Sequence, residues 1–316
     1  MPRFRTKSAR ERLLRHVRKQ RLKYITILPS LVTILNGVCG FIAIILASEG
    51  DGLGIGRISH FAMAGYMILL AMIADMLDGR LARMSRSTSS FGGQLDSICD
   101  IISFGVAPAF LMLKILDYKL QLAGFAEESL LQRFVWLTAA AYISCAAIRL
   151  ARFNVENEED ESAHMSFTGL PSPAAAGVIV SLIIFHQDIR QNNFAGPKVD
   201  AIIYALPVLS LGLGALMVSR IRYPHILNQY IKGKKPFAHL IRVLLLLGLI
   251  TWNREAALVM IFCGFAAGSL LKWLHYKIFR RKELVTEPEQ AALLAGDEAE
   301  IASTELTEAY DEDESI

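Results

Sequence analysis

Four aspartates stand in two pairs within one short stretch, DMLDGRLARMSRSTSSFGGQLDSICD from Asp75 to Asp100. Asp75 pairs with Asp78, and Asp96 with Asp100. Spacings of three and four put each pair on one face of a helix. A polar link from Ser85 to Ser90, followed by Gly92 and Gly93, separates the two helical pieces and lets them lie side by side. The expected product is a cluster of four carboxylates at a helix-to-helix turn. Apolar runs flank it on both sides, which puts it at or just inside a membrane surface. Carboxylates there carry a large desolvation penalty, and like charges so close do not all stay ionised without cations. Divalent metal answers that need, and four oxygen donors of this kind can hold two Mg²⁺ or Mn²⁺ ions.

The elements that must carry this cluster are membrane helices. Hydrophobic residues make up 53% of the chain, mean hydropathy is +0.39, and the apolar residues come in long blocks. Spans are expected over about 25–48, from 61 into the aspartate stretch, 92–116, 134–150, 171–185 and 201–218. Polar loops are expected over 49–59, 117–132 and 156–161. Pro171 and Pro173 suit a helix start, where no internal donor is required. The runs 238–251 and 256–276 are read as two further spans turning at Asn253–Glu255, with a non-crossing re-entrant hairpin as the alternative. The fold class is thus an all-α integral membrane bundle, a six-helix core with a two-helix C-terminal addition, about eight spans.

Four regions follow: a basic amphipathic segment at 1–24, a catalytic membrane core at 25–220, a basic loop with the extra hairpin at 221–282, and an acidic disordered tail at 283–316. The net charge of +3 hides this polarity: ten Lys or Arg lie in the first 24 residues, while twelve Asp or Glu and no base lie in 283–316. The basic end either lies on an anionic leaflet or only fixes topology. It lacks interleaved stacking aromatics, so a nucleic-acid partner is not expected. No cleavable signal peptide is expected either. Cys39, Cys99, Cys145 and Cys263 lie in apolar segments without metal-ligand spacing and read as small buried hydrophobes. With eight spans, 26 of the 33 Lys and Arg fall on the side of the aspartates, which marks that side as cytoplasmic.

The spacing D-x2-D-G-x2-A-R-x8-G-x3-D-x3-D is filled at every position by Asp75, Asp78, Gly79, Ala82, Arg83, Gly92, Asp96 and Asp100. It resembles the signature of the CDP-alcohol phosphotransferases, membrane enzymes that make phospholipids from a CDP-activated lipid. Eight set positions over 26 residues are a specific signal. Arg152-Phe153-Asn154 and the segment FTGLPSP from Phe167 to Pro173 are similar to stretches in those members whose acceptor is serine. The likeness covers roughly residues 24 to 220.

The resemblance implies transfer of the phosphatidyl group of CDP-diacylglycerol to L-serine, with release of CMP. It implies metal ligation by Asp75, Asp78, Asp96 and Asp100, with Asp100 also serving as general base. It places the cytidine against Gly79, where a side chain would intrude. Arg83 stands one turn further and can offer a forked donor to the pyrophosphate, or else is a cytoplasmic anchor. Asn36, polar in mid-span beside Gly37 and Gly40, either faces the CDP-lipid cavity, as the family pattern suggests, or bonds a neighbouring helix. Arg149 and Arg152 are candidates for the serine carboxylate and Asn154 for either charged end of the amino acid, each with an anchor or cap role as its alternative. His164 and His225 read as solvated. The resemblance also implies a homodimer in membrane lipid, in a bacterial inner membrane.

Two rival readings remain. A transporter would set its charges near mid-membrane in broken helices recurring in related halves, whereas here they cluster at one interface without a second copy. Within the enzyme class, the rival acceptors are glycerol 3-phosphate, inositol phosphate and choline.

Overall fold

The computed structural model describes residues 29–54, 58–85, 90–124, 130–159, 167–191, 197–219, 222–223, 253–268 and 270–271. The chain divides into two units, 1–266 and 267–316. The first carries everything discussed below, and the second contributes only residues 267, 268, 270 and 271 to the described set.

Among the described residues six helices are long and apolar enough to cross a membrane, so this is an all-helical integral membrane bundle. In chain order they are α1 (Pro29–Ser48), α2 (His60–Ser85), α3 (Ser90–Asp100) continuing through a π-helical segment (Ile101–Val106) into α4 (Ala107–Leu122), α5 (Leu130–Glu159), α6 (Ser172–Gln191) and α7 (Pro197–Val218). A further helix covers 254–268. The run 238–251 and the end of the run 256–276 lie outside the described residues, so the six spans counted are those of the described residues and the expected two-helix addition falls largely outside them. The basic N-terminal segment, the acidic tail, His164 and His225 likewise lie outside them. The four cysteines are free, with Cys39 and Cys99 buried.

The bundle is held by α5 against α7, α2 against α6, and α6 against α7. Phe61, Phe104, Leu111, Met112, Tyr142, Ile179 and Ile183 fill the interior, all fully buried. Outward faces are equally apolar: Leu31, Leu35, Phe41, Trp136, Leu137 and Val208 are exposed. Lipid tails are as apolar as leucine, so a spanning helix needs no polar outer face. Small residues decide instead where helices touch. A Cβ on Gly40 would lie 2.5 Å from Ser103 Oγ and 2.8 Å from Ser103 Cα; only glycine lets α1 come this close to the π segment.

Two expected loops are corrected. Helix continues from Asp117 to Leu122 and restarts at Leu130, and α5 runs on to Glu159. Polarity there reports where the apolar thickness ends, not where the helix ends. Lys, Gln and Glu are good helix formers, and Lys119 turns inward to meet Asp200 on α7, Nζ to Oδ1 2.5 Å. His186 Nε2 joins the same Oδ1 at 3.0 Å, and Arg190 pairs with Asp51 at 2.5 Å. Connectivity sets this charged group at the end of the bundle opposite the four aspartates.

One strand pair was also unforeseen. β1 (Phe167–Thr168) and β2 (Arg222–Tyr223) pair antiparallel, Phe167 opposite Tyr223 and Thr168 opposite Arg222. Between β1 and α6, Leu170 N–H donates to Leu216 O at 3.0 Å. Gly169, at φ +88°, turns the chain where a Cβ would collide with Met217 O.

Candidate active site

α2 and α3 bring three carboxylates together. Ligand oxygens of Asp75, Asp78 and Asp96 all lie within 4.8 Å of one another. Asp78 is buried at 4% exposure, and Asp75 and Asp96 are half-buried. Asp78 Oδ2 and Asp96 Oδ1 are buried with no hydrogen-bond partner among the described residues. Buried acceptors left unpaired are unfavourable, and three converging carboxylates repel. Both features fit a hard cation held by oxygen donors, and the cluster could hold a metal ion.

Asp100 is set apart from this trio. It is buried, and its Oδ1 accepts a bond of 2.9 Å from Asn36 Nδ2 across 64 residues of chain. Asn36 is fully buried, and its carbonyl accepts from Ser103 Oγ at 2.9 Å. The close seat of Gly37 and Gly40 against Cys99 and Ser103 is what lays Asn36 on Asp100. The π segment begins at the next residue. Its widened turn is closed by Ala107 N–H to Ile102 O, and the Phe104 carbonyl accepts from Tyr142 OH at 3.1 Å. Such segments inside α-helices recur at functional sites. Of the two alternatives for Asn36, the bond to a neighbouring helix is thus made, and the helix group it meets is a site carboxylate.

The three residues of α5 part company. Arg149 lies within electrostatic reach of Asp75 and Asp100. Its NH1 donates to Ser172 Oγ at 2.8 Å, while its Nε is buried and unpartnered among the described residues. Arg152 points elsewhere: NH1 donates to Val218 O at 3.0 Å, satisfying a carbonyl at the C-terminus of α7. Asn154 exchanges bonds with Ser97, Nδ2 to Oγ 2.9 Å and Ser97 Oγ to Oδ1 3.2 Å, tying α5 to α3 beside Asp96. Gly79 is exposed, and a Cβ there would meet nothing within 4 Å, so the helix face is open at that point. Arg83 lies near the end of α2, and its side chain is outside the described residues.

Sequence reasoning passed over Ser172. It stood inside the quoted FTGLPSP segment, but no spacing rule joins a hydroxyl at 172 to a guanidinium at 149. It also passed over Ser103 as the group that steadies Asn36.

Similarity to known proteins points one way. The family model for CDP-alcohol phosphatidyltransferase matches residues 26–219. A Helicobacter pylori (strain ATCC 700392 / 26695) protein named CDP-diacylglycerol–serine O-phosphatidyltransferase is 31% identical over 247 residues, 78% of this chain and 90% of the relative. Proteins of the same name from Methanocaldococcus jannaschii and Bacillus subtilis are similar too. The first is 32% identical over 66% of this chain and 78% of its own length, the second 31% over 63% and 90%.

Proposed function

The chain belongs to the CDP-alcohol phosphatidyltransferase family, and from that premise we propose that it transfers the phosphatidyl group of CDP-diacylglycerol to L-serine. The serine hydroxyl oxygen attacks the phosphorus that bears the diacylglycerol and forms the new P–O bond. The bond from that phosphorus to the bridging oxygen breaks, and CMP leaves with the electron pair. Phosphatidylserine and CMP are the products. The relatives' names support serine as acceptor.

The observation that carries the reading is the grouping of Asp75, Asp78 and Asp96 with the Asn36-bonded Asp100 and the Arg149 guanidinium. Asp75, Asp78 and Asp96, with Asp100 at their edge, would hold a pair of Mg²⁺ or Mn²⁺ ions. Bound there, such ions supply charge neutralisation for the pyrophosphate. Asp100 takes the proton from the serine hydroxyl. Asn36 occupies one of its oxygens and so directs the other, which makes Asn36 an orienting residue for the base rather than a ligand of the CDP-lipid. The open face at Gly79 accepts the cytidine, and Arg83 offers its fork to the pyrophosphate.

Serine is compact: two carbons separate its hydroxyl from its carboxylate. An acceptor whose hydroxyl lies on Asp100 must therefore carry its carboxylate close by, and Arg149 is a cation within electrostatic reach of Asp100. Arg152 and Asn154, committed to Val218 and Ser97, frame this pocket without touching the substrate. The excess of Lys and Arg on the side of the aspartates supports a site facing the cytoplasm.

The test is purified protein given CDP-diacylglycerol and, in turn, serine, ethanolamine, glycerol 3-phosphate, inositol phosphate and choline, with CMP release and lipid product as readouts. Serine is expected to support turnover well above the others. Faster CMP release with a phosphorylated acceptor overturns the choice of acceptor, and no release with any of them overturns the class of reaction.

A further inference from the structure

We propose that Ser172 is the positioning residue for acceptor choice: its hydroxyl holds the Arg149 guanidinium in the orientation that receives the acceptor carboxylate. The inference rests on the serine reading above and adds to it the device that aims the arginine.

An arginine side chain is long and rich in rotamers, and binding a ligand with it requires that freedom to be lost. Here one nitrogen is already taken. NH1 donates to Ser172 Oγ at 2.8 Å, Ser172 is fully buried, and Nε is buried without a partner among the described residues. One donor of the guanidinium is thus spent on fixing its direction while another, in the same rigid plane, is buried without a partner among the described residues, in a group within electrostatic reach of Asp75 and Asp100. An acceptor carboxylate is the kind of group that would satisfy it.

Ser172 can do this only because its own segment is clamped. β1 is paired to β2, Leu170 N–H bonds Leu216 O, and Gly169 nests under the Met217 carbonyl in a conformation open to glycine. All three contacts go to the end of α7 or just beyond it. Arg152 holds that same end from α5 through Val218 O. Arg149 and Arg152, three residues apart on one helix, therefore divide the work. Arg152 secures the platform on which Ser172 stands, and Arg149 is aimed by it. The FTGLPSP segment thereby gains a physical role that its composition alone does not reveal.

The experiment measures KM for serine, KM for CDP-diacylglycerol and kcat for Ser172→Ala, Ser172→Thr, Ser172→Cys and Arg149→Lys, with thermal unfolding in detergent alongside. Loss of one hydrogen bond to a charged group predicts that Ser172→Ala raises the KM for serine about tenfold or more while that for CDP-diacylglycerol stays within about twofold. Ser172→Thr keeps the hydroxyl and is expected to restore most of the affinity. Ser172→Cys keeps the size with a weak acceptor, falls between, and serves if the alanine variant does not fold. Unchanged serine KM in the Ser172 variants, with a raised value in Arg149→Lys, overturns the positioning role and leaves the serine reading standing. Unchanged serine KM in Arg149→Lys as well shows that the acceptor carboxylate is held elsewhere and overturns the proposal, whereas the serine reading itself falls only if serine supports no CMP release. Equal rises in both KM values, or no rescue by threonine, would show a purely structural serine and overturn the proposal.

Discussion

Asn36→Ala separates two roles for one residue, and its size can be worked out. Asn36 Nδ2 lies 2.9 Å from Asp100 Oδ1, with Asn36 at 0% and Asp100 at 9% exposure. Truncation removes this side-chain donor to Asp100 while leaving the backbone held, because Ser103 Oγ bonds the Asn36 backbone carbonyl. A hydrogen bond to a charged group is worth about 1.5–3 kcal/mol. At about 1.4 kcal/mol per factor of ten, a base that loses its orientation should lower kcat by roughly ten- to a hundredfold. The KM for CDP-diacylglycerol should hardly move. CMP release at saturating substrates and metal gives kcat, and unfolding in detergent gives the folded fraction by which it is divided. Asn36→Asp should be worse than alanine, since it turns an acceptor toward Asp100 and adds a like charge. Full kcat with a strongly raised KM for CDP-diacylglycerol would refute this reasoning and return Asn36 to the CDP-lipid cavity. A fall in activity that only tracks the folded fraction would reduce the bond to a structural one.

Three further outcomes are expected. Excess chelator should abolish CMP release and Mg²⁺ or Mn²⁺ restore it, and Asp78→Asn should remove activity while the protein still inserts and folds; undiminished turnover in chelator contradicts a metal-dependent trio. Gly79→Val should leave the fold intact, because its Cβ would meet nothing within 4 Å. It should depress kcat/KM for CDP-diacylglycerol by roughly a hundredfold through substrate misplacement, and wild-type values would show that the nucleotide passes elsewhere. Asp200→Asn leaves Lys119, 5% exposed, without its carboxylate. The expected loss is about 2–3 kcal/mol of stability, below that of a fully buried pair because Asp200 is 35% exposed. Turnover per folded molecule should be unaltered, so a fall in kcat with unchanged unfolding would mean that this opposite end of the bundle communicates with the aspartates.

Much of this protein follows from local pattern. The spans are visible because each must present a long apolar stretch to lipid. The aspartate pairs are visible because intervals of three and four within one helix always share a face. The excess of Lys and Arg on the side of the aspartates is likewise legible from the chain alone. Partner choice is not local. That Asn36 meets Asp100, that Asp100 stands outside the trio of Asp75, Asp78 and Asp96, and that Ser172 meets Arg149 depend on how closely helices far apart in sequence approach. Those distances are set by Gly40 against Ser103 and Gly169 under Met217. The same holds for Arg152 and Asn154, whose types suited a substrate and whose bonds went to Val218 and Ser97. The helical course of 117–122 and 156–159 escaped sequence reasoning because hydropathy marks the edge of the membrane and not the end of a hydrogen-bonded helix. Sequence determines which groups share a face within a helix; only the packed bundle decides which face another helix supplies, because that contact is set by the fit of small residues across the interface and leaves no period in the chain.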